Sequence, residues 1–304
     1  MWLFCARMKK IIVIGGPTAS GKTALAIRCA LRLGTEIISA DSRQCYTEMS
    51  IGTAKPSPEE LESVPHHFIS SHHLPFRVNA GTYVEYVKPI LQKLLDEKGI
   101  AVIAGGTGLY IRALLEGLDE FPEIPDEIRA QLNAEAREPG SMLHHLEELK
   151  STDPVWYELV DRSNQRRILR ALEVIRTSGR PYSSFLAGEK SVWDAEIRYF
   201  YPDPDRELLY ERIEQRVHNM MALGLEEEVR SLQQWESHPA LHTVGYREFF
   251  PYFRGEYSRE KVVQLIIQHT RNYAKRQWTW FRNQGQWQAL STEAESFKNG
   301  QLDD

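Results

Sequence analysis

Eight consecutive residues, Gly16-Pro17-Thr18-Ala19-Ser20-Gly21-Lys22-Thr23, restrict what this chain can fold into more than any other stretch. They fit the pattern G-x-x-x-x-G-K-T, which requires a strand before it and a helix after it. Both are legible. Ile11 to Gly15 is a short β-branched apolar run ending in glycine, the pattern of a buried strand, and Thr23 to Leu33 is rich in helix formers and closed by Gly34. Glycines let backbone N–H groups converge on phosphate oxygens, and the helix N-terminus adds positive potential. Lys22 supplies a cation to the bound phosphates, and the Thr23 hydroxyl can ligate Mg2+. Taken alone, the loop suggests binding of a nucleoside triphosphate such as ATP and transfer of a phosphoryl group.

The pattern continues in the same style. Glu36-Ile37-Ile38-Ser39-Ala40 reads as a second strand that delivers Asp41-Ser42 at its carboxyl end. Tyr83 to Lys98 is helical in period, and Ile100 to Ala104 is a third strand running into Gly105-Gly106-Thr107-Gly108. Strand, helix, strand, helix, strand implies a parallel sheet covered on both faces. Neighbouring parallel strands end at one rim, which puts Asp41 beside the phosphate loop. Glycines at the end of the third strand serve either a tight turn or the approach of backbone to a ligand.

Between Leu118 and Glu196 strand-like runs vanish, and the period becomes helical at Asp126 to Ala136, Met142 to Leu149 and Ser163 to Thr177. Ile197 to Tyr201 then reads as a strand returning to the sheet, followed by helices at Asp205 to Leu223, Leu225 to Gln234 and Ser258 to Arg282. The expected class is α/β: a P-loop NTPase-like parallel sheet flanked by helices, with an inserted all-helical subdomain. The catalytic core is expected at 9–117 and 197–290, the insertion at 118–196, and tails at 1–8 and 291–304.

Composition excludes more than it selects. A formal net charge of −5 over 304 residues argues against a nonspecific whole-surface nucleic-acid binder, but leaves room for a local basic groove. Two stretches fit such a groove: Gln165-Arg166-Arg167 with Arg170, and Thr270 to Arg282, where cations alternate with large aromatics suited to phosphates and unstacked bases. Cys5, Cys29 and Cys45 form no CxxC pair, which fits a reducing cytoplasm. No apolar run approaches the ~20 residues of a membrane span. At the N-terminus the charges follow the apolar residues, opposite to a signal peptide, and Met8 directly precedes the first strand; Met1 to Arg7 is expected to be a disordered or mis-started extension. His66-His67 and His72-His73 have no Cys or carboxylate at ligand spacing, so no zinc site is expected.

Six blocks appear in one order: the Gly16 to Thr23 loop with Asp41-Ser42, Ile51-Gly52-Thr53-Ala54-Lys55-Pro56, Gly105-Gly106-Thr107, Arg170-Ala171-Leu172-Glu173, Val244-Gly245-Tyr246-Arg247 and Ala274-Lys275-Arg276-Gln277. This combination closely resembles the tRNA dimethylallyltransferases. The resemblance implies transfer of a dimethylallyl group from dimethylallyl diphosphate to the N6 amine of the adenosine 3′ of the anticodon, in tRNAs reading codons that begin with U. It implies that the insertion grips the anticodon stem-loop and that the target base is flipped into the site. By motif matching, Asp41 is the general base, and Arg216 joins Lys22 on the diphosphate. Thr18 and Thr107 line the reaction channel, and Mg2+ sits on Thr23 or Ser20. The tRNA contacts implied are Asp41, Ser42, Arg43, Gln44, Thr107, Arg129, Gln165, Arg166, Arg167, Ile168, Leu169, Gly245, Tyr246, Arg247, Lys275 and Arg276. Arg43-Gln44 departs from the family, which often carries a smaller residue or an aliphatic pair there. A cytoplasmic monomer with no membrane attachment is expected. The competing readings are an isopentenyltransferase acting on free adenylate, a small-molecule P-loop kinase and a non-catalytic RNA-binding module. A free nucleotide would not need the helical insertion, and a binding module would leave Lys22 and Asp41 without a task.

Overall fold

The computed structural model describes residues 8–186, 193–284 and 286–290; Met1 to Arg7 and the expected tail after residue 290 lie outside them. The elements run β1 (Lys10–Ile14), α1 (Lys22–Leu33), β2 (Ile37–Ser39), α2 (Pro58–Ser63), β3 (His66–His67), α3 (Ala80–Lys98), β4 (Ile100–Ala104) and α4 (Gly108–Glu116). Then come α5 (Asp126–Glu135), α6 (Ser141–Thr152), α7 (Pro154–Leu159), α8 (Gln165–Ser178), β5 (Glu196–Pro202), α9 (Arg206–Ala222), α10 (Leu225–Ser231), α11 (Phe249–Phe253), α12 (Arg259–Arg282) and β6 (Trp287–Leu290).

Among the described residues these strands form one parallel sheet in the order β3-β2-β4-β1-β5-β6. In β1 the side chains alternate between two apolar layers: Ile11 and Val13 join one cluster, Ile12 and Ile14 the other. All four are fully buried, each contributing about 1.5–3 kcal/mol relative to exposure. That explains why β1 reads as an unbroken apolar run. The register pairs Ile14 with Ala104 and with Phe200, and Ser39 with Ala104. The strands therefore end level, and the loops after β1, β2 and β4 share one rim.

Two compact units are present, and Glu116–Ser191 is the smaller. Its described residues form helices and no strand, built on Leu132, Leu149, Ile168, Ala171, Leu172 and Ile175. Its polar framework centres on Arg176, which donates to Glu135 (2.9 Å) and Glu148 (2.6 Å). Asn164 caps α8 by accepting the Arg167 N–H at 3.2 Å.

Several elements were not anticipated. β3 is two residues long and β6 four, too short to show a period. His66 and His67 therefore serve an edge strand: the His66 ring meets the Val64 carbonyl at 2.8 Å, and the His67 ring meets the Glu36 carboxylate at 2.6 Å. α4 begins inside the Gly105 to Gly108 run, where glycine masks the helical pattern. α7 and α11, of 6 and 5 residues, are also below the length at which periodicity shows.

Candidate active site

The loop from Gly16 to Thr23 leaves β1 in a conformation that its sequence anticipates. Gly16, Ala19 and Gly21 have φ of 136°, 63° and 89°, so the chain turns tightly before α1 starts at Lys22. Lys22 Nζ donates to the Pro17 carbonyl at 3.2 Å. Its side chain lines a cavity of about 550 Å³, within the range of small-ligand sites. Burial pulls its pKa from 10.5 down to about 8; Asp41 opposes that fall and Arg216 adds to it. The sign is unfavourable to the empty fold at neutral pH. The unfolded chain holds this proton more tightly, so the stability linked to Lys22 rises as pH climbs from about 8 towards 10.5.

Arg216, on α9, reaches the loop and donates to Thr18 Oγ1 at 3.2 Å. Burial lowers its pKa, and among the described residues no carboxylate lies at ion-pair distance from it. Two converging cations, neither with a carboxylate at ion-pair distance among the described residues, suit an anion. Ser20 Oγ is buried and has no hydrogen-bond partner, an orphaned hydroxyl in the wall of the loop.

Asp41 follows β2 and faces the same cavity. Its Oδ1 accepts the N–H groups of Arg43 (2.8 Å) and Gln44 (3.2 Å). Oδ2 receives no hydrogen bond from the described residues, so half of the carboxylate is available to a ligand. The segment is tied to the β4 loop: Thr107 N–H donates to the Ala40 carbonyl at 3.1 Å, and Thr107 Oγ1 accepts the Ser42 N–H at 3.2 Å. Thr107 thus supports the Asp41 loop and remains half-exposed beside it.

The β4 glycines, expected to serve either a tight turn or ligand approach, are closely packed. A Cβ on Gly105 would sit 2.2 Å from the Ala40 carbonyl oxygen, and one on Gly106 would sit 2.2 Å from Gln277 Nε2. Both glycines are thus required by the close packing of protein around them, and Gly105 also lines the cavity. Gln277, buried on α12, accepts the Thr18 N–H (2.9 Å) and donates to the Gly106 carbonyl (2.9 Å), so it joins the phosphate loop to the β4 loop. Sequence reasoning placed Gln277 in a motif block but gave it no task.

The residues expected to meet RNA divide into three groups. Ser42, Arg43, Gln44, Gly245, Arg247 and Arg276 line the cavity. The Gln44 amide group is already engaged by the Thr53 and Ala54 carbonyls at 3.1 and 3.0 Å. Lys275 is exposed on α12, and Arg166 and Arg167 are exposed in the first turn of α8, where the helix dipole disfavours cations and leaves them open to an outside anion. The rest have partners within the protein. Tyr246 is fully buried, with its hydroxyl donating to Glu228 at 2.6 Å. Ile168 is fully buried in the helical core and Leu169 packs against it. Gln165 donates to the Ala136 carbonyl at 3.3 Å, and Arg129 pairs with Asp126 at 3.2 Å. Tyr246 and Ile168 thus cannot touch RNA as placed, because apolar packing encloses them.

Comparison with known proteins agrees with this geometry. The model of the family described as IPP transferase matches residues 44–284. A tRNA dimethylallyltransferase of Cytophaga hutchinsonii is 42% identical over 273 residues, 90% of each chain. One of Flavobacterium johnsoniae is 41% identical over 295 residues, covering 94% of this chain and 95% of that one. The crystal structure of a full-length tRNA isopentenylpyrophosphate transferase from Bacillus halodurans superposes with a TM-score of 0.69 at 29% identity, covering 95% of this chain and 94% of that one.

Proposed function

The chain belongs to the IPP transferase family, and on that premise we propose that its cavity moves a dimethylallyl group from dimethylallyl diphosphate to the N6 amine of an adenosine in tRNA. One observation carries the chemistry: a half-free carboxylate, Asp41, opens into the same cavity as Lys22 and Arg216, two cations without carboxylate partners among the described residues.

Each side of that cavity suits one half of the reaction. The new bond joins N6 to the allylic carbon, and the bond that breaks is the one between that carbon and the diphosphate oxygen. Its electron pair leaves with the diphosphate, whose growing charge falls to Lys22, Arg216 and the N-terminus of α1. The adenine amine is a poor nucleophile and becomes cationic as it attacks. Asp41 Oδ2 takes its proton, while Oδ1 stays held by two backbone N–H groups. No covalent enzyme intermediate is required. Phosphate here is the leaving group, which is how a loop typical of phosphoryl transfer serves alkyl transfer.

Mg2+ fits the donors present. Ser20 Oγ is an orphaned buried hydroxyl, the Thr23 hydroxyl has no partner among the described residues, and no cluster of three or more His, Cys, Asp or Glu competes as a metal cage there. Such a hydroxyl set suits Mg2+, which is commonly held by substrate phosphates and water. When bound it would supply further charge compensation to the diphosphate. The acceptor is taken to be the adenosine 3′ of the anticodon, with Arg166, Arg167, Lys275 and Arg276 meeting RNA phosphates. No helix among the described residues is long and apolar enough to cross a membrane, and a cytoplasmic place of action is part of the proposal. One chain supplies the loop, Asp41 and Arg216, and action as a monomer is part of the proposal.

The test is an incubation with Mg2+, dimethylallyl diphosphate and either unmodified tRNA or AMP, followed by digestion and identification of nucleosides by mass. N6-isopentenyladenosine from tRNA alone is expected. Prenylated AMP without prenylated tRNA, or ATP-dependent phosphoryl transfer, would overturn the proposal.

A further inference from the structure

The segment Gly52-Thr53-Ala54-Lys55 is among the most family-specific blocks in the sequence, yet the chemistry above gives it no work. Its folding explains why. Glu228, on α10, gathers three successive backbone N–H groups: Oε2 accepts from Ser50 (3.0 Å) and Ile51 (2.7 Å), and Oε1 accepts from Gly52 (3.0 Å). The Tyr246 hydroxyl adds a fourth donor at 2.6 Å. From the opposite side Lys55 Nζ gathers acceptors, donating to the Tyr46 carbonyl (2.5 Å), the Thr47 carbonyl (3.3 Å) and Ser50 Oγ (3.4 Å). The Tyr246 ring closes the arrangement, because a Cβ at Gly52 would lie 2.5 Å from it.

What the clamp holds in place is a pair of carbonyls. Ala54 sits at φ 51°, a left-handed conformation that a non-glycine residue keeps only where its surroundings over-determine it. The Thr53 and Ala54 carbonyls both accept from Gln44 Nε2. The Gln44 backbone N–H, in turn, donates to Asp41 Oδ1. Glu228 is thus three links from the carboxylate that takes the proton, and every link is a hydrogen bond or a stretch of loop held by them.

Granted the prenyl-transfer reading of the cavity, we propose that Glu228 is a positioning residue that holds Asp41 in register through the Ser50 to Lys55 loop and Gln44. It touches neither substrate. Its effect falls on the geometry of proton removal and not on the diphosphate, which Lys22, Arg216 and the phosphate loop bind.

The experiment measures single-turnover prenylation of tRNA and the KM for dimethylallyl diphosphate, in full-length protein, for Glu228→Gln, Gln44→Ala, the double variant and Tyr246→Phe. Glu228→Gln should slow transfer by about 10²-fold, the scale of a misplacement of about an ångström, with KM for the donor within about twofold. The double variant should be no slower than the slower single variant by more than about threefold, because both break one chain of contacts. Tyr246→Phe keeps the ring and the fold and removes one donor, so a smaller fall of about 2- to 10-fold is expected. A Glu228→Gln rate within about threefold of wild type overturns the proposal, as does a double variant whose loss is the product of the singles. A donor KM that worsens in step with the rate would assign Glu228 a general structural role instead. Wild-type protein that prenylates no tRNA would remove the reaction, and this role with it, before any variant is compared.

Discussion

Arg216 in the larger unit and Arg176 in the helical unit are both partly withdrawn from water, yet their surroundings are opposite. Arg176 is held between Glu148 and Glu135, whose hydrogen bonds raise its pKa, and Glu135 is pulled down from 4.5 to about 2, chiefly by that guanidinium. Arg216 has, among the described residues, only the Thr18 hydroxyl, and burial lowers its pKa. A sequestered cation with two carboxylates is scaffold. One with none is a receptor waiting for an anion, since a charge left unpaired in a folded protein is otherwise expensive. The same division separates Arg129 and Arg170, paired with Asp126 and Glu173, from Arg166 and Arg167, which have no ion pair among the described residues.

Exchanging the two roles is the strongest way to break the comparison. Arg216→Met should lower kcat by about 10²–10³-fold, the loss expected for one charge-stabilising group, while leaving tRNA affinity unchanged. Arg176→Met should do the reverse. It is expected to destabilise the helical unit by about 2 kcal/mol, measured by denaturant titration, with KM for dimethylallyl diphosphate unchanged.

The units should also fail at opposite ends of the pH scale. In the proposed reaction Lys22 binds diphosphate as the cation, and burial holds its pKa at about 8. Donor affinity should therefore weaken by up to about tenfold from pH 7 to 9, measured as KM at fixed tRNA. Glu135 is depressed, so its contribution is present above about 4.5 and lost as pH falls towards about 2; helical-unit ellipticity at acid pH reads that loss. The smallest effect concerns the exposed pair. Arg166→Ala and Arg167→Ala should each weaken tRNA binding by a few-fold and reduce the slope of log affinity against log salt by about one.

What the sequence disclosed follows the same physical line. The phosphate loop, β1, β2, β4 and β5 were legible because local pattern defines them: an apolar run, a glycine, a helix start. Asp41 was legible because strand ends in a parallel sheet share a rim. Gln277 and Glu228 were not, because their partners are backbone groups brought to them only by the tertiary fold. A faint signal existed for Glu228. It lies three residues after Leu225 and directly before Val229, on the buried face of α10, where an acid needs a partner. Tyr246 and Ile168 were assigned to RNA through their neighbours in a motif, and only their burial shows that they support the residues beside them.

The central claim is that one cavity separates its tasks, with Lys22 and Arg216 binding the leaving group and Asp41 removing the proton. Asp41→Ala tests it most directly, in a single-turnover assay with saturating tRNA and dimethylallyl diphosphate. The account predicts a fall in prenyl transfer of about 10²–10⁴-fold with donor KM little changed. Transfer at the wild-type rate would remove Asp41 from the mechanism and contradict the account.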